Sequence, residues 1–108
     1  MKISESAFES CADLKTLVLH EGIVSIGRRA FRYCHALESM NFPSTLTTVF
    51  NEAFRQCLGF KKLDIPATVT DIRDWGFARC DNAIFYVREG SAAHNYVDIN
   101  FYQFKFVR

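Results

Sequence analysis

One five-residue phrase returns along this chain at a constant interval of 23 residues. It is AFESC at 7–11, AFRYC at 30–34, AFRQC at 53–57 and GFARC at 76–80. A fixed period between about 20 and 50 residues is typical of repeat proteins, whose units bury their apolar faces only against their neighbours. The interval therefore predicts a stack of similar coils, which we number 1 to 4 after the phrase that each contains.

The same interval extends to positions outside the phrase. The units are variants of the pattern apolar-x3-Ala-Phe-x2-Cys-x2-Leu-x2-Leu-x-Leu. The columns align through all four coils without an insertion, and the later columns loosen in coil 4. The Leu-x-Leu pair has the period of two that places both side chains on one face of a strand. We predict that this strand pairs in parallel with its copy in the next coil and that the Ala-Phe phrase forms a turn.

The two ends of the pattern differ. Residues 1–90 hold the repeats, and residues 91–108 are predicted to cap the stack within the same single domain. Ser91 is a typical residue to begin a short helix, while Tyr102, Phe104 and Phe106 alternate as in a closing strand. The first coil has no such cover, so its apolar residues and the strand TLVLH are predicted to form an open edge.

The charge balance and the apolar runs limit the partners of the chain. Thirteen basic and twelve acidic residues give a formal net charge of +1. This balance provides no general attraction to nucleic acid or to an anionic membrane. The apolar runs are much shorter than the roughly 20 residues that span a bilayer, and the start lacks the apolar region of a signal peptide. We expect no nucleic-acid partner and no membrane insertion, and these features leave the compartment open.

The four cysteines lie at one position of the repeat: Cys11, Cys34, Cys57 and Cys80. Side chains in such a column point side by side into the core, whereas a tetrahedral zinc site needs ligands that converge on one point. The spacing therefore predicts reduced, buried thiols and no metal or other cofactor. A disulfide between neighbouring coils is the alternative, since parallel strands about 4.8 Å apart permit the distance.

A thiol-dependent enzyme is a remote alternative. His35 follows Cys34 directly, but adjacent side chains usually point apart, and His20 lies on the predicted outer face of a strand. The sequence has no phosphate-binding loop and no recognisable catalytic triad motif. We therefore expect no catalytic residues.

The strand face is the first candidate binding surface. Residues that alternate with the leucine columns are expected to point outward, and they vary while the inner columns persist. The candidate binding residues of this face are Thr16, Val18, Ser39, Asn41, Lys62, Asp64, Phe85 and Val87. Extended sheets of solenoids are common docking faces, and small polar residues with scattered aromatics suit a protein partner better than a small molecule.

A group of arginines on the turn side is the second candidate surface, here called the anion patch: Arg28, Arg29, Arg32 and Arg55. Stacking brings Arg32 and Arg55 together, and a bound anion would relieve their repulsion. The alternative is that Glu9 and Glu52, which share columns with these arginines, pair with them on a solvated surface.

Two units, IGRRAFRYCHALESMNFPSTLTTV and VFNEAFRQCLGFKKLDIPATVTDI, resemble the BspA-type leucine-rich repeats, also called Treponema pallidum-type repeats. The resemblance runs from residue 3 to about residue 92 and includes Pro43 and Pro66 in matching places. It implies a right-handed leucine-rich-repeat solenoid of about four coils with a C-terminal cap. Because such repeats occur mainly in bacterial surface proteins, some linked to adhesion, it also implies a non-catalytic protein-interaction module at the cell surface or secreted.

The main rival hypothesis is a purely structural role, as a spacer or as the end segment of a longer repeat array. In either role the open edge of coil 1 needs a cover. We expect this cover to be a second copy of the chain, in a homodimer through the N-terminal coil, or a continuation into upstream repeats.

Overall fold

A computed structural model describes residues 1–107 of the chain. The described part contains short strands and one helix, in the order that follows. They are β1 Lys2–Ile3, β2 Thr16–Leu17, β3 Ser25–Ile26, β4 Ser39–Met40, β5 Thr48–Val49, β6 Lys62–Asp64, β7 Asp71–Ile72, β8 Ile84–Val87, α1 Ala92–Ile99 and β9 Phe104–Phe106.

All the strand pairs described are parallel, and they form three ladders: β1-β3-β5-β7, β2-β4 and β6-β8-β9. Lys2 pairs with Ser25, Ser25 with Thr48 and Thr48 with Asp71, which is the 23-residue interval of the sequence. The chain is therefore a leucine-rich-repeat solenoid, as predicted. It makes about five turns, because the cap strand β9 adds one to the four repeats.

Each Ala-Phe phrase forms a turn with two residues in the left-handed backbone region. These residues precede the small residue and the cysteine of the phrase, and their φ angles lie between 57° and 65°: Ser6, Ser10, Arg29, Tyr33, Glu52, Gln56, Trp75 and Arg79. A left-handed conformation costs a non-glycine residue roughly 1–2 kcal/mol. Hydrogen bonds between coils offset this cost: the N–H of Phe31 donates to Ala53 O at 2.8 Å and that of Phe54 to Gly76 O at 2.7 Å.

The phenylalanines of the phrase form a continuous stack through the core. Ring centroids are 5.2 Å apart for Phe8 and Phe31, 5.2 Å for Phe31 and Phe54, and 5.0 Å for Phe54 and Phe77. Neighbouring rings are parallel within 3°. This spacing is close to the roughly 4.8 Å between paired strands, so the backbone ladder sets the stacking distance. Phe31, Phe54 and Phe77 are fully buried.

The repeat interval shortens by one residue in coil 4. Lys62 pairs with Ile84 and Leu63 with Phe85, an offset of 22. The gapless alignment is therefore wrong here. One residue lies between Ala83 and Phe85, whereas two lie between Phe60 and Leu63. Since strand side chains alternate, a shift of one residue exchanges the inner and outer faces.

This shift corrects the predicted strand face. Phe85 and Val87 are fully buried in the core, so they are not outward-facing binding residues. Ile84 and Tyr86 are partly exposed and take the outer positions of coil 4 instead. The other six predicted residues of this face are exposed: Thr16, Val18, Ser39, Asn41, Lys62 and Asp64.

The C-terminal end of the stack is covered by α1 and β9. Ser91 begins the helix as predicted, since its side chain accepts the N–H of His94 at 3.1 Å. Two tyrosine hydroxyls occupy the places where backbone groups of a further coil would lie. The hydroxyl of Tyr96 accepts the N–H of Phe77 at 3.0 Å, as Gly76 O accepts that of Phe54.

Tyr102 extends this tyrosine cap to the next part of the turn. Its hydroxyl accepts the N–H of Arg79 at 3.2 Å and donates to Phe77 O at 2.9 Å. Burial raises the pKa of both Tyr96 and Tyr102, which keeps the two hydroxyls protonated. The N–H groups of Phe77 and Arg79 are thus paired without a fifth repeat, whereas that of Trp75 has no partner among residues 1–107.

The N-terminal end of the stack is open. Five apolar residues of coil 1 are only partly buried, although their counterparts in coil 2 are buried. The five are Ile3, Phe8, Cys11, Leu14 and Leu17. Leu19 and Ile23 of coil 1 are buried, so the prediction of an open edge is wrong for these two. In coil 2 the carbonyls of Arg28, Ala30 and Arg32 accept N–H groups from the preceding coil. The equivalent carbonyls of coil 1 find no backbone donor among residues 1–107: Glu5, Ala7 and Glu9.

Candidate binding surfaces

The N-terminal part of the strand face has exposed side chains that a partner could contact. Val18 has 73% of its surface exposed, and Thr16 and Ser39 occupy paired positions of β2 and β4. Asn41 is exposed but already bound to the first coil: its amide accepts the N–H of Leu19 at 2.8 Å and donates to Leu19 O at 2.9 Å. Asn41 therefore fastens coil 1 to coil 2, a role that the sequence analysis did not identify.

Farther along the strand face, the charged side chains have intramolecular partners. Lys62 Nζ lies 4.6 Å from the centroid of the Tyr86 ring, and Arg88 forms an ion pair with Asp64. Arg88 also donates to Ile65 O at 3.2 Å. Exposed pairs of this kind contribute little to stability, so a partner could displace them at small cost.

On the turn side, Glu52 lies among three of the predicted anion-patch arginines. Only 7% of Glu52 is exposed, and its carboxylate is 3.0 Å from Arg55, 3.3 Å from Arg29 and 3.5 Å from Arg32. Burial acts to raise its pKa, but hydrogen bonds and charges from Arg55 and Arg29 outweigh burial and lower it. The group between Arg32 and Arg55 is thus the carboxylate of Glu52.

Arg32 has a second carboxylate partner, whereas Arg28 has none in the described part of the chain. Arg32 also forms an ion pair with Glu9, which lies in coil 1. Arg28 is exposed and forms no ion pair with residues 1–107. Three of the four arginines thus have carboxylate partners, as the solvated-surface alternative predicted, and the structure separates Arg28 from them.

Beside this paired cluster runs a furrow that the sequence analysis did not identify. Its central cavity, about 350 Å³ in volume, is lined by Arg28, Asn51, Glu52, Asp74 and Trp75. An adjoining cavity of about 400 Å³ shares Arg28 and Asn51 and extends to β1. A third, of about 240 Å³, shares Asp74 and Trp75 and extends to Tyr96 and Ile99 of α1. The shared residues make these cavities one open furrow across the coils.

The cysteine column is part of the core. Cys34, Cys57 and Cys80 are buried and Cys11 is partly exposed, and all four are free thiols, as predicted. The Sγ atoms of Cys34 and Cys57 donate to Phe8 O and Phe31 O, each at 3.1 Å, and Cys80 repeats this bond to Phe54 O at 3.2 Å. Each thiol therefore links one turn to the preceding one, a role that spacing alone did not reveal.

The environment of the thiols opposes nucleophilic chemistry. Burial raises the pKa of Cys34 to about 11, and the neighbouring Cys80 thiol together with burial raises that of Cys57. Reactive cysteines need a lowered pKa, because the thiolate is the nucleophile. Within residues 1–107, no group of three or more histidine, cysteine or acidic side chains is placed to hold a metal ion. No helix in this described part has the length and apolar character needed to cross a bilayer.

Comparison with known sequences identifies the repeats. Residues 1–105 match the BspA type leucine rich repeat region (6 copies). The chain belongs to the BspA type leucine rich repeat family. No curated protein gives a significant match to this BspA type chain.

Solved structures similar to this BspA type chain come from bacteria. A leucine rich cell surface protein from Faecalibacterium prausnitzii A2-165 is 31% identical with a TM-score of 0.78, over 99% of this chain and 30% of that one. A leucine-rich repeat protein from Bacteroides ovatus ATCC 8483 is 24% identical with a TM-score of 0.62, over 78% of this chain and 28% of that one. The T. pallidum leucine rich repeat protein is 19% identical with a TM-score of 0.63, over 79% of this chain and 51% of that one.

Proposed function

We propose that this BspA type segment is a non-catalytic protein-interaction module that binds a protein partner through its strand face. The supporting observation is the row of exposed side chains at one-coil intervals, Thr16 and Val18 followed by Ser39 and then Lys62. Ser39 and Lys62 project from strands whose inner residues, Met40 and Leu63, are buried, so the backbone that presents them is fixed. A partner therefore meets a preorganised surface and loses little conformational freedom there.

The chemistry of the strand face suits a protein partner. Val18 supplies exposed apolar area at one end, and the Lys62–Tyr86 pair supplies an aromatic ring with a cation at the other. Apolar and aromatic contacts surrounded by polar groups are typical of protein interfaces. The raised pKa of the Cys34 thiol supports a non-catalytic role, since it disfavours the thiolate that a thiol-dependent enzyme would need.

The proposed location is the surface of a bacterial cell, as part of an adhesin-like protein. The Faecalibacterium protein that resembles this chain is a leucine rich cell surface protein. This chain spans only 30% of that protein, so the cell-surface location is proposed for this segment and not the activity of the whole relative. A spacer role remains the rival proposal, and it predicts that the strand face binds nothing.

The proposed function can be tested with an array of immobilised extracellular proteins probed with the purified chain. A strand-face variant carries Val18→Glu and Ser39→Glu, and a matched control carries Val24→Glu and Thr68→Glu at exposed positions elsewhere. We expect array proteins that bind the parent to lose about tenfold or more in affinity for the strand-face variant, and little for the control. Absence of any binding, or equal loss in both variants, would contradict the proposal.

The open edge of coil 1 has a proposed occupant of its own, a further coil of the same repeat type. The turn of coil 1 presents the carbonyls of Glu5, Ala7 and Glu9, so its cover must supply N–H donors. A symmetric pairing of two such turns would face acceptor with acceptor. Hydrogen-bond polarity therefore favours continuation of the array over a homodimer through this edge.

Light scattering distinguishes these two covers. If the cover is a further coil of the array, the isolated chain should stay monomeric at micromolar concentrations. If the cover is a second copy, the chain should form dimers there. Dimerisation that Leu17→Lys abolishes and that the matched change Val24→Lys leaves intact would favour the homodimer instead.

A further inference from the structure

Two neighbouring columns of the turn side differ in how their polar side chains are paired. Arg29 and Glu52 belong to one column and are joined by an ion pair. Arg28, Asn51 and Asp74 belong to the adjacent column, and their side chains form no hydrogen bond or ion pair with residues 1–107. The first column is used to hold the coils together. The second column lines the furrow with polar groups that are free to bind.

Trp75 lies between the central and C-terminal cavities of the same furrow. Its φ of 63° is unfavourable for a bulky residue, and 61% of it is exposed. Arg55 lies over the ring at 5.1 Å. The equivalent residues of the other coils are polar: Ser6, Arg29 and Glu52. Packing of the core does not require an indole here.

We propose that this furrow binds a neutral oligosaccharide. Trp75 offers an indole surface on which the apolar face of a sugar ring can stack. Arg28, Asn51 and Asp74 provide donors and acceptors that can hydrogen-bond ring hydroxyls. Arg28 and Asp74 lie two coils apart, or about 10 Å, so the ligand is longer than one ring.

Charge and backbone pairing favour a neutral sugar over the other extended ligands. The charges of Arg28 and Asp74 balance, so neither a phosphate chain nor an acidic polysaccharide meets a uniform field. A peptide that binds as an added strand needs a free strand edge. The central cavity is lined by the turns that follow β3, β5 and β7 rather than by a strand edge. The carbonyls of Arg28, Asn51 and Asp74 there already accept N–H groups from the preceding coil. This site is on a different surface from the proposed protein-binding strand face, and either proposal can fail alone.

Trp75 is the only tryptophan of the chain, so its fluorescence reports on this site directly. The folded chain is titrated with cellohexaose, maltohexaose, mannohexaose and xylohexaose, and separately with oligogalacturonate and a mixed-charge peptide. We expect a saturable change in emission with at least one neutral hexaose. Asn51→Ala should weaken that binding about fivefold or more. Ser39→Ala, on the strand face, should leave it unchanged.

Calorimetry with Trp75→Ala provides a readout that does not depend on fluorescence. Loss of the hexaose heat in that variant, with an unchanged unfolding midpoint, would support the indole as the stacking surface. The proposal is overturned if no neutral hexaose gives a saturable response, if only oligogalacturonate or the peptide does, or if Asn51→Ala binds as the parent does.

Discussion

At the C-terminal end of the solenoid, the N–H groups of Phe77 and Arg79 donate to tyrosine hydroxyls. At the N-terminal end, the carbonyls of Ala7 and Glu9 have no backbone donor among residues 1–107. The two ends thus expose opposite sides of the same ladder, but only the last coil has two of these backbone groups paired by side chains and its apolar side covered.

This difference shows what a repeat needs in order to be the last one. A full coil is unnecessary, because two side chains reaching back from α1 and the following segment replace its hydrogen-bonding groups. The helix and β9 then cover Phe77 and Phe85, which are fully buried. An end that lacks such side chains keeps half-buried apolar residues and unpaired carbonyls, which suit a further coil.

The largest expected effect comes from removing the same side chain at the two ends of the phenylalanine stack. Phe77→Ala should lower the free energy of unfolding by about 3 to 5 kcal/mol, as for other buried phenylalanines. Phe8→Ala should cost less than about half as much, because Phe8 is only partly buried and has a ring on one side. Chemical denaturation of both variants measures the difference, with Phe54→Ala as the reference for a middle coil.

Adding a coil before coil 1 should give coil 1 the surroundings of a middle coil, and the added coil then forms the open end. A copy of residues 26–48 inserted before Ile3 keeps the 23-residue interval and supplies N–H donors to the open turn. We expect the free energy of unfolding to rise by about 2 to 4 kcal/mol, mainly through burial of Phe8, Leu14 and Leu17. The same insertion with aspartate in place of its copied phenylalanine is the control. If both insertions act alike, the edge does not accept a coil.

Removing a cap hydroxyl should make the C-terminal end resemble the N-terminal one. Tyr102→Phe leaves the N–H of Arg79 without its partner and removes one of two donors to the Phe77 carbonyl, which keeps the N–H of Cys80 at 3.2 Å. The change should cost about 1 to 3 kcal/mol. Tyr96→Phe loses one such bond and should cost less. Thermal unfolding measures both, and Tyr33→Phe is a matched control in a middle coil. A neutral Tyr102→Phe would show that the cap acts by covering alone.

Alkaline pH should weaken the C-terminal end gradually. Burial raises the folded-state pKa of Tyr102 and Tyr96 above the ordinary value of about 10. The unfolded chain therefore loses these protons first, so their contribution is complete below about pH 10 and declines as the pH rises further. Unfolding free energies measured from pH 8 to pH 11 should fall less steeply for the double Tyr96→Phe, Tyr102→Phe variant. Parallel curves would contradict this assignment.

Most of the solenoid could be predicted because its constraint is periodic. Packing demands an apolar or small residue at each inner position, so Phe31, Cys34 and Leu37 recur in coil 3 as Phe54, Cys57 and Phe60. The shift in coil 4 was missed because Ile84–Val87 is a run of four hydrophobic residues. Either register of such a run places apolar side chains in the core, so the pattern does not distinguish them.

The functional surfaces were predicted less well, because their residues do not repeat. Asn41 was placed correctly on the strand face, but nothing in its column indicates that its amide binds Leu19. The tyrosine cap depends on two side chains outside the 23-residue interval. Trp75 and Asp74 were not identified as a site, since only the folded furrow brings them together with Arg28. A tryptophan in a column of polar residues was the available signal.

Native-state hydrogen exchange at Phe8 and Phe77 compares the two ends most directly, because the two amides occupy the same place in the repeat. The N–H of Phe8 donates to Ala30 O at 2.7 Å, and that of Phe77 to the Tyr96 hydroxyl at 3.0 Å. Since coil 1 is covered on one side only, we predict that Phe8 exchanges about tenfold or more faster than Phe77, despite its shorter hydrogen bond. Equal protection, or faster exchange at Phe77, would contradict the account of an open first coil and a closed last one.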